Sequence, residues 1–208
     1  MKFFPGHLEQ GEQKEILSQL VSAIDQAPFF VPRMPKTGKS FSVRMTNLGP
    51  LGWVADKEGG YRYQSTHPET GQSWPEMPQK LLQIWDELTG CPVPPEACLV
   101  NYYATTAKMG LHQDRDEETF DAPVLSISLG DRARFRLGGK TRKDKTSSFE
   151  LSSGDIVMLD GETRLAYHGI DRVLPHSSQL LSGYPEHFPD GGRINLTLRR
   201  VTAYSPTR

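Results

Sequence analysis

Cysteine is scarce in this sequence, long apolar runs are missing, and net charge is almost nil. Its two cysteines, Cys91 and Cys98, are spaced unlike a zinc knuckle or a CxxC redox motif, which leaves two thiols of a reducing compartment. Nothing approaches the ~18 apolar residues of a membrane-spanning helix. The opening MKFFPGHLEQGEQKE is broken by Pro5 and Gly6 before a signal-peptide core can form. The expectation is a cytoplasmic protein without membrane contact. Lys and Arg number 24 against 25 Asp and Glu, a formal charge of −1, so only a local basic patch would serve a polyanionic partner. Internal repeats and low-complexity tracts are also lacking. What is there, 208 residues with 36% hydrophobic and 24% charged, fits one soluble globular domain.

Two segments have helical spacing. Ile16, Leu17, Leu20, Val21 and Ile24 recur on one face of residues 11–27, which stop before Pro28. Leu81, Leu82, Trp85 and Leu88 do the same over 77–88, with Gly90 as the stop. Between them, residues 29–76 read as loops and short strands. From residue 98 onward CLVNYYA, VLSISLG, ARFRLGG, SFELSSGDIVMLD and RINLTLRRV are short alternating or apolar runs cut by Gly, Asp and Ser, as strands are. The chain therefore reads as mainly β with flanking helices (α+β), a sandwich or barrel with helices packed on one side. Residues 174–192 form a long connection before the last strand, a length that marks function or mobility.

LHQDRDEE, residues 111–118, poses a chemical question. If residues 110–114 are extended, His112 and Asp114 project to one side, because a strand repeats every two residues. They would then be two members of a two-histidine, one-carboxylate set, which binds non-haem Fe(II) and leaves positions open. Of the remaining histidines, His168 follows the apolar run DIVMLD and a short turn, so a rigid element can aim it. An isolated HxD pair equally describes a salt-bridged surface histidine, and spacing alone leaves both readings open.

RINLTLR, residues 193–199, alternates without a fault. Arg193, Asn195, Thr197 and Arg199 share one face; Ile194, Leu196 and Leu198 share the other. Such a strand either packs its apolar face on the core with its arginines in water, or turns that face toward the helices and lines an interior with the polar one. In the second case the arginines stand about 20 Å apart along the strand. Buried guanidinium groups need paired anions, and a bidentate carboxylate suits them. A metal site beside a dicarboxylate site suggests 2-oxoglutarate.

Taken in order, NYYATTAKMGLHQD, RLAYHGI and RINLTLR resemble the AlkB family of Fe(II)/2-oxoglutarate-dependent dioxygenases, which reverse alkylation damage in nucleic acids. The resemblance runs from about residue 40 to 200 and includes MTNLGPLGW, GYRY and CLVNYY. It implies a double-stranded β-helix, or jelly roll, with an N-terminal lid. The whole chain, 1–208, would be one dioxygenase domain, with helices and a nucleotide-recognition lid over 1–97 and the jelly-roll core over 98–201. His112, Asp114 and His168 match the iron ligands and hence the catalytic centre. Arg193, assisted by Asn101, Tyr103 and Asn195, matches the group that holds the distal carboxylate of 2-oxoglutarate, and Arg199 lies toward the keto acid end.

For the substrate, the resemblance pairs Trp53 and Tyr61 with aromatics that, together with the metal-ligand histidine, sandwich a flipped base, and Asp116 with the acid that reads its exocyclic amine. Met45 lines that pocket, and Arg142 is the best match among basic residues that track phosphates. The cofactors implied are Fe(II), 2-oxoglutarate and O₂. The implied reaction is oxidative demethylation of 1-methyladenine and 3-methylcytosine in single- or double-stranded DNA, or in RNA, by a monomer, with release of formaldehyde, succinate and CO₂. The alternatives are the same chemistry on a protein or small molecule, and a metal-binding jelly roll without turnover. Two departures from the family pattern stand out: Thr105 and Thr106 where Pro-Gly is common, and a longer connection before Arg193 that would bear on substrate entry.

Overall fold

The structure, a computed structural model, describes residues 1–204. Strand β1 (Lys2–Phe4) leads into helix α1 (Gln10–Gln26), followed by β2 (Arg44–Leu48), β3 (Gly52–Asp56) and β4 (Gly60–Gln64). Helix α2 (Gln79–Thr89) precedes β5 (Ala97–Tyr103), β6 (Met109–His112), β7 (Val124–Gly130) and β8 (Arg132–Leu137). The chain ends with β9 (Ser147–Leu151), β10 (Ile156–Leu159), β11 (His168–Leu174) and β12 (Arg193–Arg199). Helix α1 is secured at its start by the Glu12 carboxylate, which accepts the Glu9 amide at 2.9 Å. Helix α2 stops at Gly90, whose φ of 62° is left-handed backbone that glycine adopts freely.

The strands make two antiparallel sheets and a separate hairpin. The major sheet runs β1-β10-β7-β12-β5-β2 and the minor sheet β6-β11-β8-β9, while β3 and β4 form the hairpin. Two antiparallel sheets face to face, with helices outside the larger one, are the jelly-roll arrangement expected from the sequence. Apolar side chains sort into three clusters accordingly. Leu125, Ile127, Leu129, Ile194, Leu196 and Leu198 of the major sheet pack under α1 and α2 with Ile16, Leu20, Leu81 and Trp85. Tyr103, Val124, Val157 and Leu159 meet Ala133, Phe135, Leu151, Ile170 and Val173 of the minor sheet. Phe30, Met45, Val54, Trp74 and Leu99 fill the space under the hairpin.

This sorting settles the orientation of β12. Its apolar residues lie under the helices, and the polar face is buried as well, Arg193 being 1% and Arg199 6% exposed. A plain domain with arginines in water is thereby excluded. The long connection 174–192 is also not the open segment its length suggested. Leu181 and Phe188 anchor it in the helix-side core, the Tyr102 hydroxyl donates to Gly191 O at 2.9 Å, and none of its residues lines the central cavity. Its apolar anchors hold it on the helix side of the major sheet, away from the cavity.

Candidate active site

Strand β6 pairs with β11 so that His112 lies opposite His168. Their rings are 4.5 Å apart between centroids. Asp114 follows two residues beyond His112, where β6 has ended. Gln113, pointing away as an extended segment requires, donates its amide to Leu165 O at 2.6 Å and fixes the turn. The Nε2 atoms of His112 and His168 each stand 3.7 Å from a different Asp114 carboxylate oxygen. One ligand atom from each residue lies within 4.8 Å of the others, a set able to hold a metal ion. Each Nδ1 is 3.0 Å from a carbonyl two residues earlier, Gly110 for His112 and Ala166 for His168. Since a carbonyl only accepts, the proton sits on Nδ1 and the Nε2 lone pair faces the cluster.

Charge is arranged to keep this triad ready for a cation. Burial, with His168 alongside, pushes His112 down to about 4, although its side chain is 36% exposed at one edge. Burial of Asp114 favours its protonated form, but Arg199 outweighs that, with help from both histidines, and holds the carboxyl well below the usual range. Arg199 reaches Asp114 Oδ1 at 2.6 Å and Glu117 Oε1 at 2.9 Å. Glu117 also accepts the Tyr63 hydroxyl at 2.6 Å and pairs with Arg164 at 3.2 Å. Arg164 in turn donates to Asp114 O at 2.7 Å and Ala122 O at 2.9 Å. Glu117, Arg164 and Tyr63 support the site yet were not singled out from sequence: the side chains they pair with are 47 or more residues away.

At the other end of β12, Arg193 faces Tyr103 across the ladder to β5 and Gly130 across the ladder to β7. Its Nη2 donates to Ser128 Oγ at 2.7 Å. Its Nε and Nη1 are buried without a partner. Burial pulls this guanidinium down to about 10. Asn195 donates to Ser126 Oγ at 2.7 Å and accepts from Thr197 at 2.9 Å. Asn101, Ser126, Ser128, Asn195 and Thr197 thus make a polar stretch across the inward face of three neighbouring strands, with one strong cation lacking an anion.

The hairpin closes the other wall. Asn47 clamps both backbone groups of Trp53 at 3.1 Å, and the indole N–H donates to Asp116 at 2.8 Å. Tyr61 stacks on Trp53 with centroids 5.6 Å apart and planes 19° apart. The two aromatics are therefore paired with each other, and a planar ligand would meet the pair rather than lie between its members. Arg142 donates to Leu111 O at 2.8 Å and lies over the Tyr167 ring. A cavity of about 830 Å³ joins the triad, the polar face of β12 and the Trp53–Tyr61 pair. Every residue singled out from sequence lines it, from Met45 and Asn101 to His168 and Arg199.

Comparison with known proteins decides the family. Residues 1–199 match the model of the 2OG-Fe(II) oxygenase superfamily. The chain is 52% identical over 198 residues to an alpha-ketoglutarate-dependent dioxygenase AlkB homolog of Caulobacter vibrioides, covering 95% of this chain and 86% of that protein. The chain belongs to the AlkB family of 2OG-Fe(II) oxygenases. Alpha-ketoglutarate-dependent dioxygenase AlkB of Escherichia coli is 42% identical over 161 residues, covering 76% of this chain and 74% of that one. Among solved structures, OsALKBH1 superposes with a TM-score of 0.78 at 29% identity, covering 96% of this chain and 97% of that one.

An AlkB-family oxygenase uses Fe(II), 2-oxoglutarate and O₂. The residues present fit these groups on two independent observations. Asp114 Oδ2, 3.7 Å from His168 Nε2, is buried without a hydrogen-bond partner, as a metal ligand would be. The orphaned Nε and Nη1 of Arg193 ask for a carboxylate inside the same cavity.

Proposed function

We propose that this oxygenase removes N-methyl groups from 1-methyladenine and 3-methylcytosine in DNA, and in RNA, acting as a monomer. Its relatives support the reading: AlkB dioxygenases, a DNA N(6)-methyladenine demethylase of Arabidopsis thaliana, and a nucleic acid dioxygenase of Mus musculus. The observation that carries it is the convergence of a His–Asp–His triad, an anion-seeking arginine and a stacked aromatic pair on one cavity.

In this reading His112, Asp114 and His168 would hold the iron. The Gly110 and Ala166 carbonyls fix both imidazoles in the tautomer that offers Nε2. Arg193 takes the distal carboxylate of 2-oxoglutarate, flanked by Asn101, Tyr103 and Asn195. Arg199 secures Asp114 as the anion a metal requires and borders the keto acid end. Trp53 and Tyr61 offer a π face to the flipped base, whose extrusion costs a few kcal/mol and least where pairing is already broken. Asp116, already accepting the Trp53 indole N–H on one oxygen, has its other oxygen for an exocyclic amine. Met45 forms the floor, and Arg142 stands at the rim for a phosphate. Both proposed lesions are cationic near neutrality, so carboxylate and aromatic walls favour them over the repaired base. Bound Fe(II) and 2-oxoglutarate, with O₂, supply the oxidation of the N-methyl carbon, giving succinate, CO₂ and, from the hydroxymethylated base, formaldehyde.

The test is mass spectrometry of a single-stranded oligonucleotide carrying either lesion, incubated aerobically with Fe(II) and 2-oxoglutarate while succinate is followed. One methyl group should be lost, dependent on both cofactors, and His168→Ala should abolish the loss while the protein stays folded. Succinate without demethylation would refute the nucleic-acid reading and keep the oxygenase chemistry.

A further inference from the structure

Positive charge gathers on the outer face of the minor sheet, away from the cavity. Strand β8 buries Ala133 and Phe135 and turns Arg132, Arg134 and Arg136 outward. Strand β11 buries Ile170 and Val173, three positions apart, which a regular strand cannot do. A bulge between Ile170 and Arg172 resolves the conflict and brings both Asp171 and Arg172 to the outer face. Arg172 then lies directly opposite Arg134. Like charges facing across a ladder destabilise a sheet, so packing gives no reason for this pair.

The acids nearby do not neutralise it. Glu150, the cross-strand neighbour of Arg134, pairs with Arg132 at 3.0 Å instead. Asp171 pairs with Arg136 at 2.8 Å. Among the described residues, Arg134 and Arg172 have no acidic partner, in a chain whose net charge is only −1. A shallow depression of about 460 Å³ beside them is lined by Lys108, Arg134, Arg136 and Arg172, with Asp171 as its single acid. It shares Lys108, Met109, Gly110 and Ile170 with the active cavity, so the basic surface is continuous with the cavity wall.

We propose that this arginine face is a second nucleic-acid contact, gripping phosphates of the strand that flanks the base held in the cavity. Guanidinium groups match phosphate bidentately. On β8 they recur about 6.8 Å apart, a ladder of point contacts suited to a repeating polyanion. The four arginines include no aromatic between them on that face, so neither base stacking nor an aromatic protein hot spot is provided. The contact reads backbone and not sequence. This rests on the demethylase reading for its purpose, but the surface is measurable without it.

The test compares the wild type with Arg134→Gln/Arg172→Gln, whose side chains lie outside the cavity. Anisotropy with a lesion-free single strand of about 20 nucleotides should show weaker binding by the variant. The slope of log Kd against log salt should fall by about 1.4, at ~0.7 per lost phosphate contact on a single strand. Turnover of the lesion-bearing free nucleoside, which has no flanking phosphate, should be equal in both proteins. Unchanged binding and salt slope would overturn the proposal, as would displacement of the strand by polyglutamate as readily as by DNA. Failure of the wild type to demethylate any strand would refute the functional reading, while anisotropy would still decide the surface.

Discussion

Arg193 and Arg199 begin and end the same strand, face the same way and are almost equally buried, yet they live in opposite electrostatic worlds. Arg199 touches two carboxylates and a phenol. Burial alone would lower it, but Asp114, Tyr63 and Glu117 raise it well above the ordinary guanidinium value. Arg193 has a serine hydroxyl, two orphaned nitrogens and a value drawn down to about 10. The fold has supplied Arg199 with anions, leaving only its Nε unpartnered, and has left Arg193 for an incoming anion. Burying a charge is tolerable when its partners come with the chain, and informative when they do not.

That contrast can be broken by mutation. Arg199→Met should be the most damaging change, lowering unfolding free energy by about 3–5 kcal/mol because Glu117 and Asp114 lose their shared cation; a denaturant midpoint close to wild type would erase the distinction. Arg193→Met should leave stability equal or improved, since an unpaired buried charge is replaced by an apolar chain of similar reach. Its 2-oxoglutarate affinity should nevertheless drop by about 2–5 kcal/mol. Calorimetry reads that loss directly, and 2-oxoglutarate, which should raise the melting temperature of the wild type, should no longer raise that of the variant. Tyr63→Phe should cost about 1.5–3 kcal/mol, the worth of a hydrogen bond to a charged group, by thermal melt.

The smallest effect belongs to a pair at the surface. His187 Nε2 lies 2.8 Å from Asp25 of α1, whose side chain is 65% exposed. The bond to Asp25 raises the histidine above 6.5. A raised folded-state value means that its stabilisation is complete below 6.5 and disappears as pH climbs through the raised value. Wild type should therefore exceed His187→Gln by no more than about 1 kcal/mol at pH ~6, with the gap closing in alkali. A gap that widens with pH would reverse the sign assigned to this pair.

Much of the site was legible because strands announce their faces. Residues 193–199 gave two faces by alternation; only the position of α1 and α2 shows that the apolar one points away from the cavity. Both helices lie within two residues of their sequence limits. SFELSSGDIVMLD, continuous by eye, is two strands in different sheets. Gly154, at a φ of 87°, and Asp155, whose carboxylate accepts the Ser152 amide at 2.7 Å, turn the chain between them. Glu117 sat in plain view within LHQDRDEE, but its partners Arg164 and Arg199 are brought there only by the closed fold. Local pattern identifies which groups can do chemistry; it does not pair charges across distant strands.

Strand β12 lies between β7 and β5 in the middle of the major sheet although it is the last strand of the chain. Synthesis runs from the N-terminus, so both neighbours are made well before the strand that joins them. Until residues 193–199 arrive, β5 and β7 have no ladder on their facing edges, and Asp114 and Glu117 have no arginine between them. Completion of the sheet, neutralisation of the buried acids and delivery of Arg193 are thus one event. A nascent chain stopped short of it would be a poorly paired sheet and an equally poor oxidant.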